Sequence, residues 1–165
     1  MHYLAYGSNL HPLRLALRVP GSRLVGTTRL DGYRLTFQKR STDGSSKCTL
    51  EGSSDDAVYG AVYDIPADQA RLLDEAEGLG NGYYKAHLPV NLGNEQCSAF
   101  LYLANQSHIS NDRPYHWYKS LVLAGARRHR FPADYIVRIA GVPSKVDSED
   151  SRRVEMKHLL TRLEA

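Results

Sequence analysis

The sequence predicts a single α+β domain over residues 1–165, a curved mixed β-sheet or small barrel with flanking helices. Three observations predict it. Strand-like segments come mostly first, with helices inserted and then appended, unlike the regular strand–helix alternation that winds a parallel sheet. The stretch Ala57–Ile65, Ala-Val-Tyr-Gly-Ala-Val-Tyr-Asp-Ile, alternates at the period of a half-buried strand. The 165 residues, 42% hydrophobic and 24% charged, suffice for one core with an ordinary surface, and no repeat or linker interrupts them.

Each element follows from local chemistry. Met1–Tyr6 reads as a buried strand, and Leu10–Val19 as a short helix ended by Pro20-Gly21. Arg23–Thr28 and Tyr33–Gln38 read as two strand pieces around Asp31-Gly32, and Lys39–Ser46 as a loop rich in Ser, Thr, Asp and Gly. Cys48–Leu50 reads as a short strand ahead of Ala57–Ile65. Pro66–Ala76 reads as a helix with Gly78 as its stop. Tyr83–Leu92 and Gln96–Ala104 form a strand pair turning near Gly93-Asn94, followed by a polar loop, Asn105–Arg113. A helix over Pro114–His129 opens with Pro, a short one follows Pro132, and the charged tail from Asp147 to Ala165 is helical at its end.

Composition excludes several function classes. A formal charge of +3 from scattered Lys and Arg gives no nucleic-acid footprint. The one basic cluster, Arg127-Arg128-His129-Arg130, ends a helix, where cations complement the dipole. Cys48 and Cys97 fit no metal or redox spacing, so a reduced, cytoplasmic setting is expected. The seven histidines never fall at ligand spacing, so no metal is expected. No stretch approaches the roughly 18 apolar residues of a membrane span, and no secretory leader is visible. The expectation is a protein with a small-molecule partner, without nucleic acid or membrane, and a monomer or homodimer.

Two segments carry chemistry. In His2-Tyr3-Leu4-Ala5-Tyr6-Gly7-Ser8-Asn9-Leu10 an apolar strand runs into a tight turn. Gly7 lets backbone and ligand come close. Ser8 and Asn9 are placed to cap the helix in which Pro12 sits early, and free N–H groups there would face an anion or a developing negative charge. The second segment is Asp74-Glu75-Ala76-Glu77-Gly78. At about 100° per residue, Ala70, Ala76 and Glu77 fall within about 60° of Leu73, Asp74 lies at the edge, and Glu75 lies nearly opposite. Glu77 therefore points where the core points, which is costly for a carboxylate unless it is paired or used. Burial and the negative end of the helix would both raise its pKa toward the range of an acid/base catalyst.

These motifs resemble those of the gamma-glutamylcyclotransferase family. Tyr6-Gly7-Ser8-Asn9-Leu10 resembles the family's opening turn, and Leu73–Gly78 followed by Gly82-Tyr83-Tyr84 resembles its catalytic segment. Val58-Tyr59-Gly60-Ala61-Val62-Tyr63 is similar to a family strand, and Tyr118-Lys119 is similar to a Tyr-Lys pair whose Tyr binds substrate. The resemblance spans Met1 to Ile139 and leaves the tail after Ala140 unmatched. Asn9 places the chain on this branch and not on the glutathione-specific one.

The resemblance implies release of 5-oxoproline from a γ-glutamyl substrate, an activity of the lyase or acyltransferase kind within glutathione metabolism. The substrate's own α-amine attacks its γ-carbonyl, so no enzyme nucleophile and no cofactor is required. It implies Glu77 as general acid/base, with the backbone of Gly7, Ser8, Asn9 and Leu10 holding the carboxylate or oxyanion. Tyr3 and Tyr6 would wall the pocket, and Tyr84 and Tyr118 would hydrogen-bond substrate or Glu77. Ser8 has no His or Asp partner marking it as a nucleophile. Two alternatives stay open: a cyclotransferase for γ-glutamyl amines or a γ-glutamyl-protected biosynthetic intermediate, and a non-catalytic binding domain. An acidic lining near Lys39–Ser46 and Asn105–Arg113 would favour cationic amines.

Overall fold

The computed structural model describes all residues, Met1–Ala165. Its five strands are β1 (His2–Ala5), β2 (Arg23–Arg40), β3 (Ser46–Asp64), β4 (Tyr83–Leu92) and β5 (Glu95–Ala104), in the spatial order β2-β3-β1-β5-β4. β1 runs antiparallel to β3 and parallel to β5, which makes the sheet mixed. The sheet is open, so the small-barrel alternative is corrected. The edge strands β2 and β4 share no ladder, although they approach where Leu92 Cδ2 lies 3.4 Å from where a Cβ on Gly26 would stand.

The hairpin β2–β3 is longer than expected. The pieces around Asp31-Gly32 form one strand, and Cys48–Leu50 is continuous with Ala57–Ile65. Asp31-Gly32 is not a turn between strands. The register slips between Leu24 and Gly26, Asp31 and Tyr33, and Thr36 and Lys39, and such bulges bend and twist a ribbon without ending it. The loop expected over Lys39–Ser46 shrinks accordingly, because Lys39, Arg40 and Ser46 all pair in the ladder.

The helices are α1 (Pro12–Arg18), α2 (Ala70–Glu77), α3 (His116–Arg128), α4 (Ala133–Ala140) and α5 (Asp150–Leu163). A 3₁₀ turn at Ala67–Gln69 leads into α2, where a helix from Pro66 was expected. The expected cap of α1 is corrected: His11 Nδ1, and not Ser8 or Asn9, accepts the Leu13 N–H at 3.2 Å. Asn9 is engaged elsewhere, and Leu10 is fully buried, so one more turn separates strand from helix. Gly78 ends α2 in the left-handed conformation, φ 65°, with its N–H and that of Leu79 returning to Glu75 and Asp74.

β1 lies at the centre of the main core, where Leu4 and Ala5 pack with Val62, Tyr63, Phe100 and Leu101. Burial of each such large side chain stabilises by about 1.5–3 kcal/mol. A second cluster joins Leu159 and Leu163 of α5 to Leu121 and Ala124 of α3. The tail is further clasped by Asp147, whose carboxylate takes Arg152 through Nε at 2.6 Å and Nη2 at 2.7 Å, and Trp117 Nε1 at 2.8 Å. Those hydrogen bonds, Arg152's first, hold the Asp147 carboxyl well below the ordinary carboxylate range.

Two predictions follow from this packing. A Cβ at Gly125 would meet Leu10 Cβ at 2.3 Å and the His11 N at 2.9 Å, so Gly125→Ala must part α3 from the opening turn. Denaturant unfolding should show a loss of about 1–3 kcal/mol. Asp147→Asn should cost about 3 kcal/mol at neutral pH by stranding Arg152. Because the native carboxyl is held low, its contribution is complete above the unfolded value of about 4 and fades as pH falls through the native value. The wild type should lose stability below about pH 4 more steeply than Asp147→Asn, as read by melting temperature against pH.

Candidate active site

Glu77 sits on the last turn of α2, and its Oε1 accepts the Asn9 side-chain amide at 2.7 Å and Arg18 Nη1 at 2.8 Å. Arg18 Nη1 also donates to Asn9 Oδ1 at 3.1 Å, which closes a triangle between the end of α2, the opening turn and the end of α1. Asn9, 2% exposed, further donates to Tyr3 Oη at 3.2 Å. The opening turn and the Glu-Gly segment are thus in direct contact.

The three acids sort as helical geometry implies. Glu77 is largely buried, while Glu75 is 61% exposed and lies 3.7 Å from Arg71 on the outer face. Asp74, which does not line the recess, accepts Tyr102 Oη at 2.5 Å and Lys85 Nζ at 2.8 Å. Ala76, expected on the buried face, is exposed and lies on the rim of the outer cavity. The Arg18 cation that pairs with Glu77 at 2.8 Å carries no mark in the sequence.

A recess opens above this triangle. Tyr3, Tyr6, Gly7, Ser8 and Asn9 line it together with Glu77 and Tyr118. The N–H groups of Gly7, Ser8 and Asn9 donate to no other group of the protein, so three backbone donors remain for a ligand. Leu10 is a correction: its N–H donates to the Gly7 carbonyl at 3.1 Å, its carbonyl takes Tyr63 Oη at 2.7 Å, and its side chain is in the core.

Tyr84 is the second correction. It is 46% exposed and does not line the recess, whereas Tyr83 does. Successive strand residues face opposite ways, so one position decides which tyrosine is inside. The tyrosines inside divide by what their hydroxyls do. Tyr83 Oη donates to the Cys48 carbonyl at 2.5 Å and Tyr6 Oη to the Tyr102 carbonyl, so both act as wall and brace. Tyr118 Oη accepts the Cys48 N–H at 3.0 Å and Tyr3 Oη accepts from Asn9, which leaves each phenol its own proton to donate. Burial pushes both phenols well above the ordinary range, with Glu77 adding to Tyr3 and Cys48 to Tyr118, so they stay protonated donors. Burial likewise pushes the Cys48 thiol up to about 12, so it is not a nucleophile at neutral pH.

The recess is small, about 20 Å³, and opens past Ser8, Glu77, Tyr83 and Tyr118 into an outer cavity of about 280 Å³. The recess alone takes little more than one water-sized or carboxylate-sized group. The outer cavity is lined by Arg14, Arg18, Lys39 and Lys47 against the carboxylates of Glu75 and Glu77, with Trp117 as one wall. This basic lining carried no mark in the sequence, because its members come from α1, β2 and β3. The acidic lining considered for cationic amines is therefore not what the structure presents. No trio of His, Cys, Asp or Glu side chains is placed to hold a metal ion, and no helix is long and apolar enough to cross a membrane.

Comparison with known proteins agrees with this architecture. The profile of the AIG2-like family matches residues 57–139. Human gamma-glutamylcyclotransferase is 27% identical over 165 aligned positions, covering 93% of this chain and 85% of that protein. Gamma-glutamyl cyclotransferase aclK of Aspergillus oryzae is 30% identical over 161 positions, covering 83% of this chain and 59% of its own length. A solved gamma-glutamyl cyclotransferase superposes with a TM-score of 0.84 at 24% identity over 98% of both chains. Gly60, the Glu77 helix and the Tyr118 helix all lie within the matched span, and the chain belongs to the AIG2-like family, with the fold of a gamma-glutamyl cyclotransferase.

Proposed function

We propose that this protein is a gamma-glutamylcyclotransferase that releases 5-oxoproline and a free amine from a small γ-glutamyl substrate. One observation carries the reading: a largely buried carboxylate, Glu77, is hydrogen-bonded to Asn9 of a turn whose neighbouring N–H groups are free. A base and a set of oxyanion donors thus share one recess, and relatives over most of the chain bear the corresponding name.

The substrate's α-amine attacks its own γ-carbonyl carbon and closes a five-membered ring. Glu77 takes a proton from that nitrogen, the carbonyl oxygen gains charge, and the bond to the leaving amine breaks as Glu77 returns the proton to it. Holding amine and carbonyl together is worth about 7–11 kcal/mol when the alignment is good. The N–H groups of Gly7, Ser8 and Asn9 receive the glutamyl carboxylate or the oxyanion, where one lost donor typically costs about 2.7–4 kcal/mol. Tyr3 and Tyr118 donate from the walls. Arg18 and Asn9 fix the Glu77 carboxylate through one oxygen and leave the other for the proton. Both cysteines are unpaired, which suits the cytoplasmic compartment and the place in γ-glutamyl turnover that we assign to the protein.

The test is 5-oxoproline release from γ-glutamyl-alanine. Glu77→Gln keeps an acceptor for Asn9 and Arg18 but removes the base, and should lower kcat by about 10²–10⁴-fold in a protein that still folds, with a lower melting temperature because Arg18 loses its counter-ion. Turnover at the wild-type rate would overturn the mechanism. Tyr83→Phe should lower activity, because its hydroxyl braces the Cys48 carbonyl behind the turn. Tyr84→Phe should stay within about twofold, since surface changes rarely exceed about 0.5 kcal/mol.

A further inference from the structure

We infer that the outer cavity is an anion-recognising leaving-group site, and that the preferred substrates are acidic γ-glutamyl dipeptides whose leaving amino acid carries a second carboxylate, as aspartate or glutamate does. The inference rests on the cyclotransferase reading and concerns the other half of the substrate.

The argument begins with the cations of the cavity and the partners each already has. Arg18 is bound to Glu77 at 2.8 Å. Lys47 is paired with Asp43 at 2.9 Å and lies over the Trp117 ring at 4.3 Å. Arg14 and Lys39 are different. Neither makes a salt bridge nor donates a side-chain hydrogen bond, and Arg14 Nε is buried without any partner. Lys39 is 6% exposed, and its ammonium stands 4.5 Å from the centre of the Tyr83 ring with no carboxylate beside it. Burial lowers both cations from their ordinary values and, together with the proximity of Arg18, brings Arg14 to about 10, with Glu77 acting on both in the opposite direction. Removing a cation from water without a counter-ion is costly, and an anion brought by the ligand offsets that cost.

The position of these two cations selects the part of the substrate they meet. The recess at the opening turn accepts only a small polar group, and the cleaved bond must lie within reach of Glu77. The recess takes one group of the glutamyl half, its carboxylate or the oxyanion, and the rest of the substrate, with everything beyond that bond, extends into the outer cavity, which Ser8, Glu77, Tyr83 and Tyr118 join to the recess. A leaving amino acid supplies one carboxylate, and an acidic side chain supplies the second. A cationic leaving group, such as lysine or a polyamine, would enter a cavity in which two unpaired cations repel it.

The experiment compares γ-glutamyl-glutamate, γ-glutamyl-alanine and γ-glutamyl-lysine, which share the glutamyl half and differ only in the leaving amino acid. Initial rates of 5-oxoproline formation by the wild type should give kcat/KM in that order, with the glutamate compound favoured over the lysine compound by about 10–100-fold. Lys39→Gln should shrink the preference for γ-glutamyl-glutamate over γ-glutamyl-alanine by about tenfold, and Lys39→Arg should restore most of it. That ratio does not move if Lys39 only supports the fold. Calorimetric binding of the same panel to Glu77→Gln reads the selectivity without turnover. Equal or reversed preference in both rate and binding would overturn the inference. Absence of 5-oxoproline from every compound, with tighter binding of γ-glutamyl-glutamate, would overturn the reaction and uphold the anion site.

Discussion

The structure depends on one polar junction, the Glu77 carboxylate shared by Asn9 and Arg18. Each partner comes from a different segment: the end of α2, the opening turn and the end of α1. A largely buried carboxylate without partners would destabilise the fold, and Asn9 without its acceptors would leave a buried amide unsatisfied. Together they satisfy one another and fix the geometry at the mouth of the recess. The interaction that relieves the cost of burial is therefore the same one that aims the carboxylate. Around it the tyrosines act as graded supports. Tyr6 and Tyr83 bind backbone carbonyls and stiffen the wall, whereas Tyr3 and Tyr118 keep a proton to offer.

Much of this was legible in the sequence, for identifiable reasons. Glu77 could be singled out because helical period and a glycine stop fix the direction in which each side chain of α2 points. The Gly7–Asn9 turn could be singled out because a strand, a glycine and a proline-started helix leave few conformations. What was not legible depends on contacts between distant segments. Arg18 meets Glu77 across 59 positions, and no local pattern marks it. Composition makes Lys39 the start of a loop, but the ladder continues through it and the residue is buried. Tyr83 and Tyr84 are the same residue type side by side, so composition gives no phase and only the strand pairing decides between them.

The merging of strand pieces has a similar cause. Asp31-Gly32 has the composition of a turn, and Gly52-Ser53-Ser54 that of a loop, yet both lie inside the long hairpin. Residues that permit a turn also permit a bulge, and the paired strand on the other side selects the bulge. The tail shows the opposite case. It carries no resemblance to guide it, but Asp147 reaches Trp117, so a segment remote in sequence supports one wall of the outer cavity.

The central position of β1 has a consequence for how the protein acquires its activity. The neighbours of this four-residue strand in the sheet, Tyr63 and Phe100 opposite Tyr3, lie far along the chain from it. Its pairings are long-range, and chains rich in such pairings close their loops late and fold slowly. The opening turn hangs from that strand and has no fixed place until both neighbours have arrived. Assembly of the recess thus coincides with completion of the sheet, and a partly folded chain holds no working site.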